Sequence, residues 1–416
     1  MERYHNRIID QVLKDTLARS GAVLIEGPKW CGKTRTAKEF SKSVVELQNP
    51  NTALSYRKMA STKPSLILEG NTPRLIDEWQ VLPNLWDAVR YEVDIRDQVG
   101  QFILTGSHSP KLSEITHTGT GRISRILMRP MSLYESSDSN GLVSLNDLFN
   151  QNHDIFSLSP LTVEAIAHCI VRGGWPKLIN LKPGDAYKAV IDYVENLIEL
   201  DITQLSNERK NPYRIRKLFH SLARNISTQA SLATLVKDID INAETIKERT
   251  LVKYIDTLRS LFIIEDLPAW SPSLRSKTPL RMHSKWHFID PSIACATLRL
   301  TPKTLLSDFE TFGYLFESLC IRDLRIYTQS LDGSVFHFRD KNGFEVDAIL
   351  QLNDGRWAAI EIKLGLHEED KAAQILLRFQ EKNPTKASFL MILSGSELAY
   401  QRSDGVLVVP LACLKN

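Results

Sequence analysis

The chain contains no apolar run approaching the ~18 residues of a membrane-crossing helix, so none is expected. Its five cysteines (Cys31, Cys169, Cys295, Cys320 and Cys413) are scattered, odd in number and never spaced C-x-x-C. That pattern argues against a disulfide framework or a structural zinc site, and for a reducing compartment. Internal repeats and low-complexity tracts are absent from the sequence. There is no large excess of charge of one sign either. A net charge of +3 over 416 residues announces no nucleic-acid binder, yet it is compatible with a local basic groove. The opening Met-Glu-Arg-Tyr-His-Asn-Arg is polar and charged, unlike a signal sequence. What remains is an ordinary globular composition, 43% hydrophobic and 24% charged, long enough for about two to four domains. The expectation is a cytoplasmic, multidomain α/β protein.

Residues 27–34 read Gly27-Pro28-Lys29-Trp30-Cys31-Gly32-Lys33-Thr34 and fit the phosphate-loop pattern G-x-x-x-x-G-K-[ST]. The apolar run 21–26 before them suits a buried strand, and Arg35 to Phe40 continue as a helix. Strand, glycine loop and helix N-terminus together form a nest of backbone N–H groups for a polyphosphate. Lys33 would reach the β- and γ-phosphates and the Thr34 hydroxyl would hold Mg²⁺, with Arg35 beside the loop. ATP or GTP is the expected ligand. The alternative is a strand-to-helix turn with a chance lysine.

Such a site needs a second strand ending in an acid, and Arg74-Leu-Ile-Asp77-Glu78 supplies one. Asp77 would hold the metal through water and Glu78 would polarise the attacking water. Adjacent carboxylates at a strand end are costly without a cation nearby, although both could instead cap the helix that follows. The next strand, Phe102 to Thr105, ends in Thr105-Gly-Ser107, where Ser107 is placed to sense the γ-phosphate or simply to make a turn. Gly121-Arg122 precedes another strand-like run, Ile123 to Met128. Arg122 is either a finger toward the phosphates of this or a neighbouring subunit, or a surface arginine.

Taken in order, Leu75-Ile-Asp-Glu-Trp-Gln80, Leu104-Thr-Gly-Ser107, Gly121-Arg122 and Pro130-Met-Ser-Leu-Tyr-Glu135 resemble the motifs of AAA-type ATPases of bacteria and archaea. The resemblance covers about the first third of the chain. It implies Mg²⁺-dependent ATP hydrolysis, and commonly a C-terminal domain that resembles nucleases.

Strands at 23–26, 66–68, 74–77 and 102–105, with a helix at 85–96, predict a parallel sheet covered by helices. The composition turns to Ser, Asp and Asn near 136–152, which suggests a boundary, so residues 1–150 are assigned to the ATPase domain. Residues 151–210 read as a helical lid or connector, interrupted at Arg172-Gly-Gly-Trp-Pro176. Residues 211–300 read as three helices (215–226, 231–239 and 242–261, with Thr228 and Asn242 as caps) followed by a strand at 262–267. That order suggests a winged helix-turn-helix. Lys247, Arg249 and Lys253 are then candidate DNA phosphate contacts, or the module packs against protein instead.

Residues 301–416 form another α/β unit. Within 336–363, turns at Lys-Asn-Gly and Asn-Asp-Gly separate three strands. With Asn353-Asp354-Gly355 as a three-residue loop, Asp347 falls opposite Glu361 and Glu345 opposite Lys363, so that the carboxylates of Asp347 and Glu361 converge with their Cβ atoms about 5 Å apart. A two-residue turn would shift that register. The D…E-x-K arrangement resembles the PD-(D/E)XK nuclease core. By that resemblance Asp347, Glu361 and the preceding helix's Glu317 would ligate Mg²⁺ or Mn²⁺. Lys363 would activate water, and Gln374 would line a substrate groove. The alternative is a solvated ion pair on an inactive binding platform. DNA is the expected partner, with protein partners and an oligomer as further possibilities.

Overall fold

The computed structural model describes residues 4–108, 116–202, 211–239, 247–271, 283–365 and 367–416, and two compact units emerge from it. Residues 1–130 with 260–262 make the first, and 131–259 with 263–416 make the second.

The first unit carries α1 (Ile9–Leu17), β1 (Ala22–Glu26), α2 (Lys33–Glu39), β2 (Ser43–Glu46), α3 (Ala53–Thr62), α4 (Ser65–Leu68), β3 (Arg74–Asp77), α5 (Asn84–Arg96), β4 (Phe102–Gly106) and β5 (Ile123–Leu127). Five strands run parallel in the order β2-β3-β4-β1-β5. Side chains alternate across the sheet, and both faces are dry. Ala22, Leu24, Ile76, Phe102 and Leu104 pack with Trp79, Trp86 and Val89 on one face. Val23, Ile25, Leu75 and Ile103 pack with Ile9, Leu13 and Ala37 on the other. Burial on both sides explains the near-continuous apolar runs of β1 and β4. Because β4 lies between β1 and β3, the phosphate loop, Asp77 and Thr105 all emerge at one edge of the sheet.

One local expectation fails and one strand was not expected. Residues 66–68 lie in α4, not in a strand. Pro64 begins the turn in right-handed helical geometry, and Ile67 and Leu68 bury against the core. A three-residue apolar run carries no period to tell the two apart. The edge strand β2 went unpredicted, since Ser43-Val-Val-Glu46 is short and leaves Val44 exposed.

The second unit opens with β6 (Val143–Ser144), α6 (Leu145–Phe149), β7 (Ser157–Leu158), α7 (Val163–Arg172) and α8 (Pro183–Asn196). The Ser/Asp/Asn-rich stretch expected as a boundary therefore lies inside this unit, with β6 pairing the C-terminal β14 (Leu414–Lys415). Helix α7 stops at Gly173, whose φ of +72° favours glycine. Next come α9 (Pro212–Arg224), α10 (Leu232–Ile239) and α11 (Glu248–Ser260). Asn242 and the start of the third predicted helix lie outside the described residues. Thr228 caps nothing. Its hydroxyl donates to the Asn225 carbonyl, and Ser231 instead accepts from the Thr234 N–H at 3.2 Å. Among the described residues, the strand expected at 262–267 is present as isolated antiparallel bridges, Ile264 to Phe288 and Leu267 to Lys285.

After α12 (Ser292–Leu298) and α13 (Pro302–Leu305), the long α14 (Phe309–Ser330) leads into β8 (Gly333–Arg339), β9 (Glu345–Leu352) and β10 (Trp357–Lys363). Helix α15 (Glu369–Lys382) crosses to β11 (Leu390–Ser394), followed by β12 (Leu398–Gln401) and β13 (Leu407–Pro410). These strands and β7 form a seven-stranded mixed sheet, β7-β12-β13-β11-β10-β9-β8. On one face Trp270, Ile349, Trp357, Leu376, Phe379 and Ile392 make an aromatic-rich core.

Candidate functional site

At the loop after β1, Gly27 has a φ of +153°, and a Cβ there would lie 2.2 Å from the Met128 carbonyl oxygen. Gly32, at φ +104°, turns the chain into α2. Lys33 is buried and donates to the carbonyls of Gly27 at 2.9 Å and Pro28 at 2.7 Å, curling over the loop it belongs to. Cys31 is wholly buried in the core cluster, so only its backbone is offered to a ligand. Its carbonyl accepts from the Arg7 guanidinium at 2.9 Å. Lys29 and Trp30 are exposed, Pro28 is buried, and Arg35 pairs with Glu39 at 3.2 Å.

Four residues from three elements form a hydrogen-bonded chain beside this loop. The Thr34 hydroxyl donates to Asp77 Oδ1 at 2.7 Å, and the Thr105 hydroxyl donates to the same oxygen at 2.7 Å. The Glu78 N–H donates to Thr105 Oγ1 at 3.0 Å. Glu78 itself sits in left-handed geometry, φ +55° and ψ +52°, which a glutamate adopts only under constraint. Its Oε2 accepts from Gln80 and, at 3.3 Å, from Ser107. Burial raises the Glu78 carboxyl above its ordinary range; Lys33 opposes the shift and Asp77 adds to it. A hydroxyl and a carboxylate side by side next to a phosphate loop suit Mg²⁺, and the residues fit that ion.

Arg122 is the exception. Ala22 pairs with Ile123, so Arg122 lies at the opposite end of the sheet, about 16 Å of strand from Glu26. There it donates to Asp94 Oδ1 at 2.8 Å on the surface. It cannot reach phosphates at the loop of its own chain.

In the C-terminal region Leu352 N–H donates to the Arg356 carbonyl at 2.9 Å, and Ile360 pairs with Ala348. The turn is therefore Asn353-Asp354-Gly355, and the next step of the register sets Asp347 against Glu361. The strands part at that step, where Asp347 Oδ2 accepts the Ile362 N–H at 2.8 Å. Lys363 bridges the two carboxylates, 2.9 Å from Glu361 Oε2 and 3.4 Å from Asp347 Oδ2.

The sequence reading missed Lys285. Its ammonium is 2.9 Å from Glu317 Oε1, 2.9 Å from Glu345 Oε1 and 3.7 Å from Asp347 Oδ1, with its side chain 4% exposed. Burial disfavours charge on Lys285, but Glu317, Asp347 and Glu345 together keep it protonated well above its ordinary range. Burial pushes Glu317 up to about 7, and burial with the nearby Asp347 pushes Glu361 up to about 8. Asp347 is also penalised by burial, yet Lys285 and Lys363 hold it below its usual value. Among the described residues, no group of three or more His, Cys, Asp or Glu side chains is disposed to hold a metal ion. The expected metal set of Glu317, Asp347 and Glu361 is thus gathered around ammonium groups, and it does not fit a divalent cation in this arrangement. Gln374 is exposed on α15. On α11, Arg249 and Lys253 lie on the exposed face, just beyond Lys247, while Leu251, Tyr254, Ile255 and Leu258 are buried.

Residues 19–137 match the model of a family described as "AAA domain". This identifies the first unit's sheet as that of a P-loop ATPase. Residues 163–304 and 312–414 match two families described as "Domain of unknown function", DUF8612 and DUF4143. Among curated proteins, "Uncharacterized protein Rv2008c" of Mycobacterium tuberculosis and "Uncharacterized protein Mb2031c" of Mycobacterium bovis are each 24% identical over 357 residues, covering 84% of this chain and 72% of theirs. Among solved structures, the Walker-type ATPase PABY2304 of Pyrococcus abyssi is 15% identical with a TM-score of 0.44, covering 70% of this chain and 94% of that one. AMPPCP-bound DnaA from Aquifex aeolicus is 15% identical with a TM-score of 0.29, covering 62% and 89%. No helix among the described residues is long and apolar enough to cross a membrane.

Proposed function

We propose that this chain is a Mg²⁺-dependent ATPase whose nucleotide state controls a C-terminal, nuclease-like module that engages DNA. The carrying observation is the hydrogen-bonded chain Thr34, Asp77, Thr105 and Glu78 beside the phosphate loop. Lys33, which donates to two loop carbonyls, redirects its ammonium hydrogen bonds to the phosphate oxygens when a nucleotide enters. Thr34 and Asp77 would hold Mg²⁺, which would supply positive charge against the phosphates. Glu78, fixed by its backbone bond to Thr105 and by Gln80 and Ser107, orients the attacking water and accepts its proton. Arg249 and Lys253 on the exposed face of α11, with Lys247 before it, are the DNA contacts, and these side chains meet phosphates rather than bases.

A second reading is supported at the far end of the chain. Lys285 pairs with Glu317 and approaches Asp347, two of the carboxylates that the nuclease resemblance would give to a metal, which favours a module that binds without cutting. The test is ATP turnover by the wild type, Lys33→Ala and Glu78→Gln, with and without DNA. Lys33→Ala should lose turnover, and Glu78→Gln should bind ATP without hydrolysing it. Wild-type turnover in Lys33→Ala would sink the ATPase assignment. Turnover and nucleotide affinity both indifferent to DNA would remove the DNA half. Nicking by the wild type that Asp347→Ala abolishes would decide for a nuclease over a silent platform.

A further inference from the structure

The carboxylates of the C-terminal centre come from three places: Glu317 on α14, Glu345 and Asp347 on β9, and Glu361 on β10. Glu361 is buried, Glu317 and Asp347 nearly so and Glu345 half-buried; four such groups repel one another and demand cations. Lys363 answers for Glu361 and part of Asp347, and Arg339 approaches Glu345 only to 3.9 Å. The Lys285 ammonium, which has three protons to donate, faces the remaining oxygens of Glu317, Glu345 and Asp347.

Its backbone is held independently of that charge. Lys285 N–H and C=O both bond to Leu267 at 3.0 Å, and the neighbouring Trp286 ties the segment to the helical module. Trp286 N–H donates to the Thr228 carbonyl at 2.9 Å, its carbonyl accepts from Ser227 at 2.8 Å, and its indole donates to the Ala230 carbonyl at 2.7 Å. The lysine therefore arrives from the module that carries α9 to α11 and reaches into the sheet module.

We propose that Lys285 is the resident cation of the C-terminal acidic centre: an autoinhibitory clasp by which the helical module occupies the position of a divalent metal and excludes it. This deepens the C-terminal half of the reading above and is independent of ATP turnover. An ammonium contacts oxygens at about 2.9 Å, whereas Mg²⁺ draws them in to about 2.0–2.1 Å. The same carboxylates cannot serve both at once. A clasp of this kind makes metal uptake conditional on the helical module letting go, so the acidic centre responds to what that module binds.

The test is Mn²⁺ titration of the full-length, nucleotide-free chain, read by the electron paramagnetic resonance of free Mn²⁺. Wild type and Asp347→Asn should take up the same amount. Lys285→Met, which keeps the volume and removes the charge, should gain about one further Mn²⁺, bound at least tenfold more tightly than any wild-type uptake; adding Asp347→Asn to that chain should abolish the gain. A Lys285→Met chain with native circular dichroism that gains no Mn²⁺ would overturn the exclusion. If Lys285→Met does not fold, wild type decides. A wild-type Mn²⁺ site that Asp347→Asn removes would show that metal, not lysine, is the resident ion. Equal uptake by those two chains leaves the lysine in that role. ATP turnover appears in none of these readouts, so failure of the ATPase assignment and failure of the clasp remain distinguishable.

Discussion

The Thr105 hydroxyl bonds to Asp77 and Glu78 rather than to the phosphate loop, yet replacing it with valine should slow ATP hydrolysis. The substitution is nearly isosteric at a fully buried position, so packing against the sheet is preserved. Two hydrogen bonds are lost: the donation to Asp77 Oδ1 and the acceptance from the Glu78 N–H. A bond to an ionised carboxylate is worth about 1.5–3 kcal/mol, and an N–H left unsatisfied in a buried site costs about 1–3 kcal/mol. Thr34 still donates to Asp77, which compensates part of the first loss. The net destabilisation should be about 2–4 kcal/mol.

The catalytic effect follows from the Glu78 backbone. Its left-handed geometry is held in place by the bond to Thr105, and without that bond the carboxylate is free to leave the position from which it orients water. A loss of about 1.4–2.7 kcal/mol in transition-state positioning corresponds to a kcat reduced about 10- to 100-fold. ATP affinity should stay within about threefold, because Lys33 and the backbone N–H groups of the loop are untouched. Single-turnover phosphate release measures the first quantity and nucleotide titration the second, with Thr105→Ser expected to restore most of kcat. Wild-type kcat in folded Thr105→Val would refute the positioning role.

Three further outcomes are expected. Burial, with Lys285 and Arg339 repelling and Glu345 and the His283 carbonyl attracting its proton, lowers His337 from 6.5 to about 4. The unfolded chain takes up a proton that the folded chain refuses, so stability present above pH 6.5 should be lost between pH 6.5 and 4. The loss amounts to about 3 kcal/mol by urea unfolding, and His337→Gln should flatten that slope. Arg322→Met should cost about 3–5 kcal/mol in the same assay, because Arg322 pairs with Asp290 at 2.8 Å and Asp323 at 2.7 Å and all three side chains are buried; a loss under 1 kcal/mol would contradict the pairing. Arg122→Ala should leave single-chain ATP turnover within about twofold of wild type, since the side chain lies at the far end of the sheet, and a kcat loss beyond tenfold would overturn that placement.

How much of this was legible depended on the range over which each signal acts. The phosphate loop, Asp77-Glu78 and the strand ending in Thr105 are contiguous motifs, and a parallel sheet with β4 between β1 and β3 brings them to one edge. The turn at Asn353-Asp354-Gly355 likewise set the Asp347 and Glu361 register from local sequence. Arg122 misled because its place before β5 was not set against the phosphate loop's place after β1. In a parallel sheet, the residue that precedes a strand lies away from a loop that follows one. Residues 66–68 misled because three apolar residues have no period. The part played by Thr105 in holding Glu78 could not be read either, since it depends on a backbone N–H meeting a side chain from the neighbouring strand.

Lys285 exposes a deeper limit of motif reading. The D…E-x-K spacing predicts that carboxylates converge, and convergence implies that a cation must compensate them, but spacing cannot say which cation. A metal and a lysine satisfy the same electrostatic demand and leave the same local pattern in β9 and β10. The difference is written 62 residues before Asp347, in Ser284-Lys285-Trp286-His287-Phe288, where a lysine precedes three buried side chains that carry no full charge. A buried lysine without partners would cost several kcal/mol, so its presence there already requires acids arriving from elsewhere in the fold. Read together, an acidic convergence lacking its cation and a buried lysine lacking its acids are two halves of one site. The pairing follows from charge balance, and the helical module that supplies the lysine thereby gains a direct hold on the acidic centre.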